Sequence, residues 1–242
     1  MTPYYADDLV TLYHGDCREI MAGLDPNMID VVMADPPFNV PVKYQDNNGV
    51  HPRSWGDLAV MEPFFVEAFR AIERVTKPDP HIYICCDADS YPVFYKVAYP
   101  LWPQSQLLIW YKPSGRRGRG WLHCHELVLH ARTQHTRYAE GWRQDVVGIM
   151  PVRTLNRQHP AEKPGELWAF LGESVPKPKP LLLDPFAGSA STLAWARLMG
   201  WRAIGVEIEE RYCEIAARRL AQQPLPLSTL LPTDDQPAQV TA

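Results

Sequence analysis

A loop of mostly small residues, DPFAGSAST at positions 184–192, links a short apolar strand to a helix and has the composition of a ligand-binding turn. The strand carries Asp184 at its carboxyl end, and Gly188 lets the backbone approach a ligand closely. Helix N-termini present N–H groups and positive potential, which suit a carboxylate or a phosphate. We expect three hydroxyl side chains to cap this helix: Ser189, Ser191 and Thr192.

The next strand, RAIGVE, ends at Glu207, nineteen positions after Gly188. In nucleotide-binding βαβ units, an acid at about this distance binds ribose hydroxyls. Glycine turns also occur for structural reasons alone, but the acid at the end of the second strand favours a cofactor site. Because the loop lacks the GxGxxG sequence, a nicotinamide cofactor is not indicated.

A second polar sequence lies at the end of another apolar strand. In IDVVMADPPFNV, residues 30–34 have the pattern of a buried strand, and Asp35, Pro36, Pro37 and Phe38 follow it. The prolines have no backbone N–H and a fixed φ, so the carbonyl of Pro36 is held rigidly. Taken alone, the stretch is more simply interpreted as a strand and a turn, since Asp-Pro is common in turns.

Short apolar runs alternate with helical periodicity, which predicts an open, mainly parallel α/β sheet with helices on both faces. Strands are expected at 30–34, 81–86, 106–111, 125–131, 181–183 and 202–207, and helices at 58–76, 89–98, 165–174 and 209–223. A glycine- and arginine-rich loop is expected at 112–120 and mixed loop at 132–160. Ligands of such sheets bind beyond the carboxyl ends of the strands, where both polar sequences are expected.

The charge of the chain is unevenly distributed. Residues 112–163 contain ten Lys/Arg and four Asp/Glu, a net charge of +6, whereas the whole chain has −4. Such asymmetry fits either a surface that faces a polyanion or an ordinary solvated face. Five cysteines without CxxC spacing argue against a disulfide framework, and His123-Cys124-His125 alternates across a strand, so we predict no metal site. No apolar run approaches the roughly 18 residues of a membrane span.

Five segments together resemble the DNA amino-methyltransferases. DPFAGSAST resembles their S-adenosylmethionine-binding sequence, and ADPPF resembles their D-P-P-Y/F catalytic sequence. The segments LYHGDC at 12–17, HELVLHA at 125–131 and QHPAEKP at 158–164 fit the same family in order. The resemblance spans residues 9–220, and the catalytic sequence precedes the cofactor sequence, as in the circularly permuted β group. It implies a Rossmann-like methyltransferase fold with S-adenosyl-L-methionine as the cofactor.

The resemblance also implies roles for individual residues. It assigns Asp16 to the cofactor's adenine, Glu207 to its ribose hydroxyls, and Lys163 to its methionine carboxylate or to a nearby structural contact. The full set of cofactor-binding residues expected is Asp16, Cys17, Asp35, Lys163, Asp184, Pro185, Phe186, Gly188, Ser189, Ser191, Thr192 and Glu207. The family usually has F-x-G-x-G where this chain has Ala190 in place of the second glycine, which puts cofactor affinity in doubt.

Asp35, Pro36, Pro37 and Phe38 are the catalytic residues that the resemblance implies. The Asp35 carboxylate and the Pro36 carbonyl each accept one hydrogen of an exocyclic amine, and the ring of Phe38 stacks on the extruded base. Asp rather than Ser at position 35 resembles the N6-adenine subtype more than the N4-cytosine subtype. A cytosine-N4 methyltransferase and a catalytically silent DNA-binding relative remain alternatives.

The expected partner is DNA. Candidate DNA contacts are Lys43, Tyr44, Arg116, Arg117, Arg119 and Trp121, and each is also compatible with a solvated loop. We expect one catalytic domain over residues 1–223, with target recognition within 112–160, and a disordered tail at 224–242. The short recognition region predicts a short target site and leaves a homodimer and a partner restriction endonuclease open. We expect a cytoplasmic protein.

Overall fold

The structure is a computed structural model that describes residues 1–37, 42–46, 49–53, 58–117, 120–152 and 162–222. Side chains are described outside 42–61 and 116–117. The predicted tail at 224–242 lies outside the described residues. Among the helices that are described, none is long and apolar enough to cross a membrane.

A nine-stranded sheet in the order β1-β2-β11-β10-β3-β6-β8-β7-β9 forms the centre of the fold. Its strands are β1 Tyr5–Ala6, β2 Val10–His14, β3 Ile29–Ala34, β6 Thr76–Cys86, β7 Gln106–Arg117, β8 Leu122–Ala131, β9 Val146–Gly148, β10 Leu181–Asp184 and β11 Arg202–Glu207. Five neighbouring strands of this order, β2, β11, β10, β3 and β6, are mutually parallel. Strand β8 pairs antiparallel with both β6 and β7. The mainly parallel sheet predicted from the sequence is confirmed for this central part.

Helices cover both faces of the sheet, as predicted. They are α1 Cys17–Ala22, α2 Leu58–Val75, α3 Tyr91–Ala98, α4 Gly165–Gly172, α5 Ser191–Leu198 and α6 Glu210–Ala221. Helices α1, α2 and α3 bury residues in one core, and α4, α5 and α6 bury residues in the other. Successive residues of β3 alternate between these cores, since Val32 faces the first while Val31 and Met33 face the second. A strand covered on both faces therefore has a nearly continuous apolar sequence.

The centre of the sheet has a topological switch point between β10 and β3. These strands are parallel neighbours, yet the chain leaves β10 through α5 to β11 on one side and leaves β3 for β6 on the other. Diverging connections leave a crevice at the carboxyl ends of the two strands, where open α/β sheets bind ligands. Asp184 ends β10 and Asp35 follows β3, so both polar sequences border this crevice.

Asp30, near the amino end of β3, fixes β3 against β10. Its carboxylate is 6% exposed and accepts hydrogen bonds from the Leu181 N–H at 2.9 Å, Lys77 Nζ at 2.7 Å and Lys177 Nζ at 2.8 Å. Burial raises the pKa of Asp30, but the Leu181 N–H and the two ammonium groups more than reverse this effect and hold the pKa below its ordinary value. The alignment of the two strands that carry the site therefore depends on a buried, ionised carboxylate.

Three parts of the sequence prediction need correction. The segment 112–117, expected as loop, continues β7 and pairs with β8, with Arg116 opposite His123 and a register shift after Tyr111. The short strand β9 lies within the expected loop at 132–160 and pairs parallel with β7. A two-stranded hairpin, β4 Val42–Asp46 with β5 Gly49–Arg53, follows the Pro-Pro sequence and was not predicted.

Candidate active site

Asp35 lies one residue beyond the carboxyl end of β3, in the position predicted from the sequence. Its side chain retains 17% exposure, Pro36 is buried and Pro37 is exposed. Phe38, the fourth residue of the expected catalytic sequence, lies outside the described residues. The described part of the sequence therefore combines a rigid buried backbone with a carboxylate that is still open to solvent.

Lys163 is the direct partner of Asp35. Its Nζ lies 2.7 Å from both carboxylate oxygens of Asp35 and 3.3 Å from Oε2 of Glu126 on β8. The second oxygen of Glu126 accepts a hydrogen bond from Nζ of Lys112, which also lies 4.5 Å from the ring centre of Trp110. Two carboxylates and two ammonium groups thus alternate in a series of ion pairs. We call this series the Asp35–Lys112 network (Asp35, Lys163, Glu126, Lys112).

The electrostatics of the Asp35–Lys112 network follow from its burial. Burial raises the pKa of Asp35, and the Lys163 ammonium acts in the opposite direction without reversing the shift. For Lys163, burial lowers the pKa, but the carboxylates of Asp35 and Glu126 outweigh it and hold the pKa above its ordinary value. Burial also raises the pKa of Glu126, but Lys163 and Lys112 reverse that shift and leave its pKa below the ordinary value. Lys163 is therefore firmly protonated in the folded protein.

The loop after β10 is shaped by Asp184. This carboxylate is 2% exposed and accepts hydrogen bonds from the Phe186 N–H at 3.0 Å and from the Thr192 side chain. Burial raises the pKa of Asp184 to about 7, against the lowering by these two hydrogen bonds. Asp184 thus joins the first residues of the loop to the first turn of α5, and Pro185 is buried behind it.

Glu207 joins the same loop to the neighbouring strand. Its Oε2 accepts the Gly188 N–H at 2.7 Å, and its Oε1 accepts the Glu209 N–H at 2.8 Å. Gly188 has a φ of 52°, in the left-handed region that glycine adopts without strain. The Glu207 carbonyl accepts the Gly15 N–H at 3.0 Å, which brings the end of β2 to the same place.

Ala190 has a left-handed backbone, with φ 60° and ψ 37°, and its side chain is fully buried. Alanine thus stands at a position of positive φ, where the family usually has glycine. This confirms the backbone conformation on which the concern about Ala190 depended. The predicted hydroxyl caps are wrong, because the N-cap residue of α5 is Ala190, whose methyl group makes no capping hydrogen bond. The hydroxyls have other partners: Ser191 accepts from Trp168, Ser189 from Arg219, and Thr192 bonds Asp184.

Asp16 is the N-cap of α1 and lies next to the end of β2. It accepts hydrogen bonds from the Arg18 N–H at 2.8 Å and from the Arg18 guanidinium at 2.7 Å, and these bonds lower the pKa of Asp16. The guanidinium also bridges to Glu67 on α2 and lies 4.9 Å from the ring centre of Phe64. The Cys17 side chain belongs to the core at 5% exposure, and burial raises its pKa to about 12.

The donors and acceptors at the ends of β2, β11 and β10 fit a nucleoside cofactor. Asp16, Glu207 and the Gly188 loop come from three adjacent parallel strands and are joined through the Gly15 and Gly188 N–H groups. Phe186, at the edge of this loop, is half-buried and lies 6.3 Å from Phe64 between ring centres. The set offers carboxylates for hydroxyl or amino groups and a glycine turn for close backbone approach, which is what the sequence predicted.

Comparison with known proteins agrees with this site. Residues 29–218, more than three quarters of the chain, match the DNA methylase family N6_N4_Mtase. The chain belongs to this DNA methylase family. The matched range begins at the first residue of β3 and ends within α6, so it contains Asp35, the Asp35–Lys112 network and the Gly188 loop of the methylase.

Individual relatives of this DNA methylase are similar along most of their length. The type II methyltransferase M2.DpnII of Streptococcus pneumoniae is 24% identical, over 90% of this chain and 92% of the relative. The type II methyltransferase M2.LlaDCHI of Lactococcus lactis subsp. cremoris is 23% identical, over 90% and 91%. Among solved structures, PvuII DNA methyltransferase (cytosine-N4-specific) has a TM-score of 0.72 at 17% identity, covering 94% of this chain and 92% of its own. The M1.HpyAVI–SAM complex has a TM-score of 0.66 at 19% identity, covering 88% and 100%. These structures support the Rossmann-like fold.

The candidate DNA contacts of the methylase are separated in the fold. Arg116 and Arg117 lie in the part of β7 that extends beyond Tyr111, and Trp121, at the turn into β8, is 87% exposed. Lys43 and Tyr44 lie in β4. Their side chains, like those of Arg116 and Arg117, are not among those described, and Arg119 lies outside the described residues. Arg116 and Arg117 therefore belong to a β-hairpin rather than to the loop that was predicted.

Sequence reasoning missed Glu126 and Lys112 of the methylase site. Glu126 lies in the HELVLHA segment that carried part of the family resemblance, and Lys112 immediately precedes the arginine-rich sequence. A charged residue at position 126, directly before the apolar run LVLHA, was the available signal, because buried charges are almost always paired. Its partner was not identifiable, since Lys163 is distant in sequence.

Proposed function

We propose that this DNA methylase transfers a methyl group from S-adenosyl-L-methionine to the N6 amine of an adenine in DNA. The observation that carries the proposal is the carboxylate of Asp35, held by Lys163 beside the strand that bears the Gly188 loop. Leu183 of β10 is in register with Val32 of β3, so Asp184 and Asp35 leave the sheet on adjacent strands. A nucleophile bound at Asp35 and a methyl donor bound at the Gly188 loop would meet in one crevice.

The proposed role of Asp35 follows from the chemistry of an aromatic amine. Its nitrogen is a poor nucleophile because the lone pair is delocalised into the ring. Asp35 accepts one amine hydrogen and the Pro36 carbonyl accepts the other, which directs the lone pair towards the methyl group. As the new N–C bond forms, the S–CH3 bond of the cofactor would break and leave its electron pair on sulfur as a neutral thioether. Positive charge grows on nitrogen at the same time, so both acceptors bind the transition state more strongly than the ground state. One amine proton then leaves to Asp35 or to water.

The proposed cofactor site uses the ends of three strands. Bound S-adenosyl-L-methionine supplies an electrophilic methyl group on its sulfonium. We propose that Glu207 accepts hydrogen bonds from the ribose hydroxyls, that Asp16 binds the adenine, and that the Gly188 loop approaches the methionine portion. Asp184 and Thr192 shape that loop from behind, because the Asp184 carboxylate is 2% exposed and bonds the loop itself.

The proposed DNA surface combines the β7–β8 hairpin with the segment after Asp35. A base inside a duplex is out of reach, so the target base must be flipped or single-stranded, and we assign Phe38 to stack on it. Trp121, 87% exposed at the hairpin turn, is available to contact bases, and Arg116, Arg117 and Arg119 are available to contact phosphates. Lys43 and Tyr44 of β4 are assigned to the same surface.

Two alternatives are separated by one experiment. Asp at position 35 supports adenine, whereas PvuII DNA methyltransferase, with a similar fold, is cytosine-N4-specific. Sequencing the methylated bases in DNA from cells that express the chain identifies the base, its position and the recognition site together. We expect N6-methyladenine at a short sequence. N4-methylcytosine would contradict the adenine assignment. If the cellular DNA is unmodified and the purified protein also fails to methylate DNA, the alternative of a catalytically silent DNA-binding relative is supported.

The matched control is Asp35→Ala. It should abolish methyl transfer, measured with tritiated cofactor, and leave cofactor affinity, measured by calorimetry, within a few-fold. A fully active Asp35→Ala protein would overturn the catalytic role of this residue.

Four further expectations stay predictions: a homodimer, a partner endonuclease, one domain over 1–223 and a cytoplasmic location. Sedimentation of the protein with and without its target DNA tests the homodimer.

A further inference from the structure

The Asp35–Lys112 network contains more charge than is needed to hold Asp35. Its members come from four places in the fold: Asp35 after β3, Lys163 before α4, Glu126 on β8 and Lys112 on β7. No side chain in the network is more than 24% exposed, and that of Lys163 is 4% exposed. A single lysine would neutralise Asp35, so the second ion pair, between Glu126 and Lys112, requires a separate explanation.

The geometry at Lys163 supplies this explanation. An ammonium group has three N–H donors. Nζ of Lys163 lies 2.7 Å from both oxygens of Asp35 and farther, at 3.3 Å, from Oε2 of Glu126. In the proposed reaction, one oxygen of Asp35 must turn to an incoming amine hydrogen. Lys163 gives up one of its two bonds to Asp35 at a smaller cost when another anion receives the freed donor. Glu126 is the anion placed to do so.

We propose that Glu126 is a positioning residue that shares Lys163 with Asp35, so that Lys163 can release one oxygen of Asp35 when the target amine binds. Lys112 completes the arrangement by fixing Glu126 through its other oxygen. The inference rests on the proposed function, because it assigns Asp35 the role of accepting an amine hydrogen. It adds two residues, neither of which is expected to touch the DNA or the cofactor.

The proposal predicts opposite effects for the two added residues. In Glu126→Gln, Lys163 is left with one carboxylate, so it binds Asp35 more tightly and lowers the pKa of Asp35. In Lys112→Met, Glu126 loses its second cation and draws Lys163 away from Asp35, which raises the pKa of Asp35. Two further groups face the network: the Cys85 thiol of β6, whose pKa burial raises far above the ordinary value, and Asp184, whose pKa burial raises to about 7. Both residues are present in the two variants.

The experiment measures ionisation and methyl transfer separately. Carboxyl carbon-13 NMR titration of the protein without cofactor, with the Asp35 signal assigned by its absence in Asp35→Asn, reports the pKa directly. Single-turnover methyl transfer at saturating DNA and cofactor reports the chemical step, and calorimetry reports both affinities. Lys96→Met is the matched control, because Lys96 pairs with Glu62 at 69% side-chain exposure, far from the network.

We expect the pKa of Asp35 to move down in Glu126→Gln and up in Lys112→Met. The single-turnover rate should fall in Glu126→Gln on the order of tenfold, with both affinities within about twofold, and Glu126→Asp should recover part of the rate. The proposal is overturned if the two variants shift Asp35 in the same direction, or if Glu126→Gln keeps the wild-type rate. Should Glu126→Gln not fold, Lys112→Met decides it, and the proposal is overturned if this variant lowers the pKa of Asp35 or leaves it unchanged. A wild-type protein that does not methylate DNA, or an active Asp35→Asn, would contradict the proposed function instead.

Discussion

Replacing Lys163 with methionine removes the cation that lies between Asp35 and Glu126 and keeps most of the apolar length of the side chain. Both oxygens of Asp35 lose a hydrogen bond of 2.7 Å, whereas Glu126 keeps Lys112. Hydrogen bonds to charged groups contribute about 1.5–3 kcal/mol each, and removing one partner of a buried ion pair costs about 3–5 kcal/mol. Because Asp35 keeps 17% of its side-chain exposure, water offsets part of this cost, and we expect a loss near the lower end, about 3 kcal/mol at pH 8.

This loss depends on pH in a direction that the ion pair determines. Without Lys163, the pKa of Asp35 rises further above its unfolded value of about 3.9, and 3 kcal/mol corresponds to roughly two pKa units. A group with a raised folded pKa stabilises the protein fully below its unfolded pKa and loses that contribution as pH rises through the folded pKa. The free energy of unfolding of Lys163→Met should therefore approach that of the wild type at the acidic end of the range and fall behind it as pH rises through the raised pKa of Asp35.

Urea unfolding from pH 4.5 to 8 measures both the size and the direction of this effect. Lys96→Met removes an ammonium that pairs with Glu62 at 2.7 Å on the surface, and it should cost at most about 1 kcal/mol at every pH. If Lys163→Met lost less than about 1 kcal/mol, equally at pH 5 and pH 8, the buried ion pair would not be the determinant that the distances indicate.

Substitutions at three further places test other parts of the structure. Ala190→Gly relieves the strain of the left-handed φ, which is about 1–2 kcal/mol. The loss of the buried methyl group, about 0.8 kcal/mol, and the greater entropy of the unfolded chain act in the opposite direction, so the unfolding free energy should change by less than about 1 kcal/mol. Cofactor affinity should rise or stay equal. Ala190→Val, with a branched Cβ, should destabilise clearly, and a stable valine variant measured by urea unfolding would contradict the strain argument. Asp30→Asn should lower the unfolding free energy by about 2–4 kcal/mol at neutral pH. This difference should shrink below about pH 4, because Asp30, with its depressed pKa, stabilises the wild type only while it is ionised. A difference that stays constant with pH would refute this explanation. Alanine at all three of Arg116, Arg117 and Arg119 should weaken DNA binding and reduce the log–log salt slope by roughly one unit per lost phosphate contact, and an unchanged slope on cognate and scrambled duplexes would mean that the hairpin does not contact phosphates.

The strand ends were the part of the site that sequence could predict. Asp35, Asp184 and Glu207 each follow an apolar run of the length of a buried strand, and parallel strands bring their carboxyl ends to one edge of the sheet. This reasoning needs only local patterns and one rule of topology. The positive φ of Ala190 was also accessible, because the family places glycine there and glycine at a loop–helix junction indicates a left-handed backbone.

The helix cap and the hairpin could not be predicted, because tertiary contacts override local preference in both. Hydroxyl residues at the start of a helix favour capping, but here Trp168 and Asp184 take two of the three hydroxyls. Glycine and arginine favour a loop at 112–120, yet pairing with β8 extends β7 to Arg117, with a bulge in which Gly115 has a φ of 53°. In each case the partner is fixed by the folded structure and not by the residues of the loop or helix start alone.

Lys163 shows why a motif can locate a residue without giving its role. Its sequence context allowed either a cofactor contact or a structural contact, and the Nζ–Asp35 distances of 2.7 Å favour the second. The two residues are 128 positions apart, so no local pattern connects them. A lysine at 4% side-chain exposure needs a carboxylate, and a carboxylate that accepts an amine hydrogen, as proposed for Asp35, needs a neutralising cation that can release one of its oxygens. A second carboxylate that shares the lysine meets both requirements, and Oε2 of Glu126 lies 3.3 Å from Nζ of Lys163.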